Sequence, residues 1–187
     1  MRKRLLSILL TACMVWSLLP ASAWAAGDPV VVTGGAITDG ASVVTAFGGG
    51  NITIQGTTIT LNTDIEAEIP LHFFGYNGNQ VEWTLDLNGH SVSVVMEPDT
   101  SGSQSWTVKV DSDVTLTLQG DGEIVGQAGT YDPGTTGVGG WGGYGVDVAG
   151  TLILDGTMKI TGGGSLHNSG GAGVYVESDG VESGGIL

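Results

Sequence analysis

The chain has 187 residues, with 19 acidic and only 5 basic side chains, which gives a net charge of −14. This excess of negative charge repels phosphate backbones and anionic lipid surfaces, so it argues against binding to nucleic acid or to an acidic membrane. The 34 glycines lack the regular spacing of collagen, and the apolar residues between them alternate with polar ones, as they do in β-strands. We therefore expect an all-β protein and predict no helix in the mature chain.

The first 25 residues have the three parts of a secretory signal peptide. Basic residues 2–4 come first, an apolar run follows from Leu5 to Leu19, and Pro20 leads into small residues that end at Ala25. We expect cleavage after Ala25 and a secreted, cell-surface-associated protein that is not inserted in a membrane once the signal is removed. Because this cleavage removes three basic residues and no acidic one, the net charge becomes −17.

Two alternatives to this cleavage stay open. Leu10-Thr11-Ala12-Cys13 resembles a bacterial lipobox, in which the cysteine carries a lipid, although Cys13 lies in the middle of the apolar run and not at its end. An uncleaved membrane anchor is the other alternative, but such a helix needs roughly 20 apolar residues and this run is shorter. If Cys13 is removed, the mature chain has no cysteine, and neither disulfides nor thiolate metal sites stabilise it.

Residues 26–50 are predicted to form a glycine-rich lead-in with one N-terminal strand, and residues 51–187 carry a repeat. The repeat has an apolar residue, any residue, a second apolar residue, a polar residue and glycine. Its four copies are Ile52–Gly56, Leu85–Gly89, Leu116–Gly120 and Leu152–Gly156. A shorter Val-x-Val element lies between copies, at Val108–Val110, Val146–Val148 and Val174–Val176.

This repeat predicts a parallel β-solenoid. Its coils would stack with strands about 4.8 Å apart, and alternate side chains would enter a narrow interior. We expect one aliphatic ladder made of Ile54, Leu87, Leu118 and Leu154. An antiparallel β-sandwich has the same alternation and is the alternative fold. The chain stops at Leu187, where Gly180 begins a further strand and no polar cap is visible, so we expect a short solenoid that is incomplete at its C-terminus, from a longer protein or a truncated reading frame.

The segment Leu85-Asp86-Leu87-Asn88-Gly89-His90-Ser91-Val92 resembles an element of secreted right-handed parallel β-helix proteins of the pectate-lyase-like superfamily, especially the adhesin-like surface proteins of Gram-positive bacteria. The signal peptide is also similar to theirs, and the resemblance covers residues 51–187. It implies a non-catalytic scaffold or adhesin segment that binds carbohydrate or a host or cell-surface partner. The alternative is the N-terminal part of a carbohydrate-active enzyme, a glycosidase or polysaccharide lyase, whose catalytic coils lie beyond residue 187.

The motifs of the enzymes in this superfamily are incomplete here, so we predict no catalytic residue within the chain. The lyases would require a basic residue and calcium, but the mature chain has no arginine and only Lys109 and Lys159, and it repels polyuronates. Asn62-Thr63-Asp64 and Gly89-His90-Ser91 resemble two polygalacturonase motifs, but the paired aspartates and the basic motif are missing. Without two converging carboxylates, glycoside hydrolysis lacks its acid and base. We interpret Asn88-Gly89-His90 as a corner turn.

The acidic residues offer one candidate metal site. We expect Asp111, Asp113, Asp121 and Glu123 to be solvated carboxylates in turns, and the alternative is a weak Ca²⁺ site formed by either pair with backbone carbonyls. Asp111 and Asp113 are the candidate ligands, and no other cofactor is expected. Asp121 and Glu123 cannot join them, because strand 114–118 would separate the two pairs by about 15 Å. Gly142–Val148 matches the calcium-binding nonapeptide, but one copy cannot complete the oxygen cage, so we interpret it as a glycine-rich loop that leads into a strand.

Trp141 and Tyr144 are the candidates for binding carbohydrate or a partner. They lie in the glycine-rich stretch 126–145, the longest predicted loop, and exposed aromatic rings stack on sugars or anchor a protein partner. The alternative is that both rings fold back over the solenoid as a lid, because large aromatic side chains are mostly buried.

Processing of the N-terminus can be checked directly. Because the small residues before the cleavage site end at Ala25, the exported protein should begin at Ala26 when its terminus is determined by mass spectrometry. A mature protein that begins with a lipid-modified Cys13 would contradict this prediction.

Overall fold

The computed structural model describes residues 28–75, 79–95, 105–129, 141–165 and 169–177. The predicted signal peptide and the strand expected at Gly180 lie outside these residues. The described part of the chain contains thirteen strands and one helix. In chain order they are β1 Val30–Ile37, α1 Gly40–Phe47, β2 Ile52–Gln55, β3 Thr58–Leu61, β4 Ile65–Phe73, β5 Val81–Asp86, β6 Ser91–Val94, β7 Trp106–Val110, β8 Val114–Gln119, β9 Glu123–Val125, β10 Tyr144–Val148, β11 Thr151–Asp155, β12 Lys159–Thr161 and β13 Val174–Val176.

These strands form a short β-solenoid of about three turns, as predicted. Its first face stacks β3, β5, β8 and β11. The second face stacks residues 65–67 of β4 with β6, β9 and β12, and the third stacks residues 71–73 of β4 with β7, β10 and β13. All pairings between successive coils are parallel, so the β-sandwich alternative is wrong.

Each face sends rows of apolar side chains into a common core. Inward and outward residues alternate along the strands, as in β8, because the pleat turns successive side chains to opposite sides. Four rows run through four stacked strands, and two of them lie on the third face. They are Ile59, Leu85, Leu118 and Leu154 on the first face, Ile65, Val92, Ile124 and Ile160 on the second, and Leu71, Val108, Val146 and Val174 together with Phe73, Val110, Val148 and Val176 on the third. Leu154, at the end of its row, is 49% exposed.

The predicted aliphatic ladder is correct at two positions and wrong at two. Leu118 pairs with Leu154 as expected, but its other neighbour is Leu85 and not Leu87. The repeat aligns Leu87 with Leu118, but β5 ends at Asp86, opposite Gln119, so the corner begins two residues earlier in this copy than the repeat suggests. Leu87 is also fully buried, but it lies in that corner, where its N–H donates to Gln119 O at 3.0 Å.

The first copy of the repeat is not a solenoid strand, which corrects the prediction for Ile54. β2 pairs antiparallel with β3, and Ile54 lies opposite Ile59 of the same hairpin. Only Gly56 and Thr57 separate the two strands, and Gly56 has a positive φ of 63°. A two-residue connection can join only antiparallel strands, because a parallel pairing needs a long crossover.

The helix α1 covers the core at the amino end of the stack, so the prediction that the chain lacks helices is wrong. Asp39 caps it: the Ser42 N–H donates to Asp39 Oδ1 at 2.8 Å, and the Asp39 N–H donates to Ser42 Oγ at 2.9 Å. The helix buries Val43, Ala46 and Phe47, which share one face. No helix among the described residues is long and apolar enough to span a membrane.

The inside and outside positions of β8 give a direct test of the stack. Leu118 is fully buried between Leu85 and Leu154, so Leu118→Ala should destabilise the fold by about 2 to 5 kcal/mol. Thr117 faces outwards, and Thr117→Ala should cost under about 0.5 kcal/mol. The free energies of unfolding from denaturant titration measure both changes. Equal losses at the two positions would contradict the alternation.

Candidate functional site

The outer side of the third face carries the densest group of interacting polar and aromatic side chains in the described part of the chain. In each Val-x-Val element the two valines enter the core, so the middle residue projects outwards. Register places Lys109 beside Asp147, and Asp147 beside Tyr175, in three successive coils. His72 precedes Lys109 in the same row. The row therefore brings together residues that are far apart in the sequence.

An ion-pair network lies in this row. Lys109 Nζ donates to Asp147 Oδ2 at 3.0 Å and to Glu177 Oε1 at 2.5 Å. The side chains of Lys109 and Asp147 are only 17% and 5% exposed. Trp106 adds to the cover, because Lys109 Nζ lies 4.7 Å from the centroid of its ring, a distance typical of cation–π contacts.

The buried network shifts the pKa values of its three members. Burial raises the pKa of Asp147, and this effect outweighs the lowering by the hydrogen bond and charge of Lys109. The hydrogen bond from Lys109 lowers the pKa of Glu177. Burial acts to lower the pKa of Lys109, but the hydrogen bonds and charges of Glu177 and Asp147 prevail and raise it. Asp147 is thus the carboxyl group of the network that is easiest to protonate.

Of the two predicted aromatic residues, Tyr144 packs against Tyr175, which lies beside Asp147 of this network. Tyr144 stacks on Tyr175 with ring centroids 4.4 Å apart and an angle of 3° between the planes. The two tyrosines are not register partners, because Tyr175 lies beside Asp147, so the rings meet diagonally across β10 and β13. Tyr175 is 42% exposed, and Trp141, in the segment that leads into β10, is 39% exposed.

Glycine packing sets the course of the chain into β10. The backbones of successive coils approach closely here: the Gly163 N–H donates to Gly143 O, and the Gly171 N–H donates to Gly163 O, both at 2.8 Å. A Cβ atom at Gly163 would lie 1.7 Å from Gln127 O, so only glycine fits. This packing accounts for the match to the calcium-binding nonapeptide, whose aspartate, Asp147, is here bound to Lys109.

The candidate metal ligands lie in the turn between β7 and β8. Asp111 Oδ1 is 3.2 Å from His72 Nε2, and Asp113 Oδ1 accepts a hydrogen bond of 3.1 Å from the Gly75 N–H. The described residues contain no group of three or more His, Cys, Asp or Glu side chains arranged to hold a metal ion. The weak Ca²⁺ site at Asp111 and Asp113 stays a prediction.

A second feature is an open groove of about 410 Å³ on the second face. It brings Asp64 and His90 together: Asp64 Oδ1 accepts a 2.8 Å hydrogen bond from the Ser91 N–H and lies 3.5 Å from His90 Nδ1. Glu123 and Lys159 line the same groove and are joined by a 2.6 Å hydrogen bond. The Asn88-Gly89 step forms the corner beside it, with positive φ values of 49° and 83°, as interpreted from the sequence.

The geometry defines a class of protein: a short parallel β-solenoid with a group of interacting aromatic and ionic side chains on the outer side of its third face. Comparison of the chain with protein-family models, with curated proteins and with solved structures found no match.

Sequence reasoning found Trp141 and Tyr144 but missed Tyr175 and the Lys109 network. The signal was present in the Val-x-Val elements, whose middle residues are Lys109, Asp147 and Tyr175. Stacking these elements in register puts the three residues in one row, and that inference needed no structure beyond the solenoid itself.

Proposed function

We propose that the chain is a non-catalytic scaffold or adhesin segment of a secreted, cell-surface β-helix protein of the pectate-lyase-like type, and that its third face binds neutral carbohydrate. The observation that carries this proposal is the stacked pair of Tyr144 and Tyr175, whose outer ring is 42% exposed. Flat, exposed rings bind the apolar faces of sugar rings at a small cost in side-chain entropy.

The rigidity of the support favours binding. Tyr144 and Tyr175 hold each other in place and lie on strands β10 and β13, not on loops. The ring positions therefore need no ordering when a ligand arrives, which lowers the entropic cost of association.

The charge of the protein narrows the class of ligand. With a net charge of −14 for the whole chain, uronates and sulfated glycans are repelled at long range. Of the two basic residues that remain after residue 4, Lys109 and Lys159, each is bonded to a carboxylate. A neutral glycan avoids this penalty and is the ligand that we propose.

Binding can be measured by calorimetry with neutral oligosaccharides such as cellohexaose, xylohexaose and mannohexaose, with oligogalacturonate as the acidic comparison. At least one neutral ligand should bind, and Tyr175→Ala should weaken it about tenfold, which corresponds to about 1.4 kcal/mol.

Two control variants make this result specific. Tyr175→Phe keeps the ring and should bind as the native chain does. Ile153→Ala removes an equally exposed apolar side chain from the first face and should have no effect. Preference for the acidic ligand, or equal losses in Tyr175→Ala and Ile153→Ala, would contradict the proposal.

A second candidate function, a carbohydrate-active enzyme, is favoured by the groove on the second face, because it holds Asp64, His90 and Glu123 together. Glycoside hydrolysis needs one carboxyl group as an acid and another as a base or nucleophile. Here Asp64 already accepts the Ser91 N–H and Glu123 is bonded to Lys159. We therefore favour the non-catalytic function for these coils.

The purified chain should release neither reducing ends nor unsaturated products from pectin, polygalacturonate or neutral glycans. Both product classes are measured after long incubation at high protein concentration. Turnover that is lost in Asp64→Asn or His90→Ala, but kept in Glu82→Gln on the exposed side of the first face, would establish the enzyme instead.

A further inference from the structure

Lys109, Asp147 and Glu177 form a contact between an amine and two carboxyl groups, of which Asp147 is 5% exposed and Glu177 is 39% exposed. Lys109 on β7 and Asp147 on β10 are register partners, and Glu177 directly follows β13. Lys109 Nζ is 3.0 Å from Asp147 Oδ2 and 2.5 Å from Glu177 Oε1. One amine therefore touches carboxylates from the two coils that follow its own.

The second oxygen of Asp147 has no hydrogen-bond partner among the described residues, although it is buried. A buried carboxylate oxygen without a partner is costly, so the ionised form of Asp147 is poorly satisfied. The Trp106 ring over Lys109 Nζ also limits access of water to the contact. Lys159 and Glu123 provide a comparison in the same molecule, because they make a similar ion pair in which the lysine is 69% exposed.

We propose that Lys109 Nζ and Asp147 Cγ join in an intramolecular amide bond that covalently links β7 to β10, with Glu177 as the residue that transfers the proton. This modification is independent of the proposed carbohydrate binding. It needs no cofactor, oxidant or activated donor, because an amine and a carboxylic acid condense with the loss of one water molecule.

The amide forms through proton transfers and one nucleophilic attack, and one water molecule leaves. A proton moves from the Lys109 ammonium to Asp147 Oδ2 along their hydrogen bond, which leaves a neutral amine beside a neutral acid. The nitrogen lone pair attacks Asp147 Cγ, and the electrons of the C=O bond move to its oxygen. Glu177 then accepts a proton from the nitrogen and donates it to the departing hydroxyl group. The C–O bond breaks, the C=O bond re-forms, water leaves, and Glu177 is again a carboxylate.

The environment assists the first and the last of these steps. Burial raises the pKa of Asp147, which favours the protonated acid. The pKa of Glu177 is lowered by the hydrogen bond from Lys109, so it is ionised and ready to accept a proton. The raised pKa of Lys109 opposes release of its proton to bulk water, which is why transfer within the pair is required. The fold also holds Lys109 Nζ beside the Asp147 carboxyl group, so the reaction does not pay the entropic cost of bringing two separate molecules together.

Mass spectrometry of the purified full chain tests the bond. Under denaturing conditions the intact mass should be lower than that of the corresponding polypeptide by one water molecule. Beyond residue 4 the chain offers trypsin only Lys109 and Lys159. An amide at Lys109 Nζ removes its charge and should block cleavage there, while cleavage at Lys159 proceeds.

Variants separate this bond from other losses of water, such as succinimide formation at Asp-Gly steps. Lys109→Arg keeps the charge but cannot form the amide, so it should have the full mass and be cleaved at position 109. Glu177→Gln keeps the size of the side chain but cannot accept the proton, and it should also have the full mass. Lys159→Arg should still lose water.

Circular dichroism and cooperative unfolding establish that each protein is folded before digestion. If Lys109→Arg fails to fold, Glu177→Gln decides the question. A folded native chain with the full mass and with cleavage after Lys109 would overturn the proposal. Loss of water that persists in both variants would overturn it as well.

Discussion

Parallel stacking in register is the constraint on which the rest of this structure depends. It puts each side chain about 4.8 Å from its counterpart in the next coil, so like meets like along the axis. Inside, this favours aliphatic rows such as Leu85, Leu118 and Leu154. Outside, the same register brings Lys109 against Asp147 and places Tyr175 beside Asp147 in the next coil. Core and surface therefore follow from one geometric rule.

The same rule makes repulsion between carboxylates the main electrostatic problem of such an acidic chain. The chain has 19 acidic residues, and the register fixes which side chains of neighbouring coils lie side by side. Two carboxylates in such positions repel each other and destabilise the stack. Lys109 and Lys159 each donate hydrogen bonds to carboxylates of other coils and so reduce this repulsion.

Glycine allows close approach of the backbone, since Gly143, Gly163 and Gly171 let three chain segments come together where a side chain would clash.

Much of the fold was predictable because its signals are local. Alternation marked the strands, and the Val-x-Val elements stack as expected. The position of Leu85 was not predictable, because a shift of two residues keeps every side chain on the same side of the strand and leaves the pattern unchanged. The helix was missed because it has eight residues and a serine, not glutamate or glutamine, in its capping box. The Val-x-Val elements place Lys109, Asp147 and Tyr175 in one row, but the contact of Lys109 with Glu177, 68 positions away, lies outside these elements and was not predictable from them.

The closed amino end has a consequence for the order of folding. The hairpin β2–β3 and the helix α1 are built from contacts between near neighbours in the chain, which form in microseconds. Every later strand pairing must close a loop of roughly thirty residues. This closure is slow, because the chain loses conformational entropy before the strands make their stabilising contacts. The amino end emerges first during synthesis, so we expect it to nucleate the stack and to serve as the template onto which each coil is added. A defect in the helix would then delay the whole molecule, although the helix packs mainly on β1 and also contacts β2 and β4.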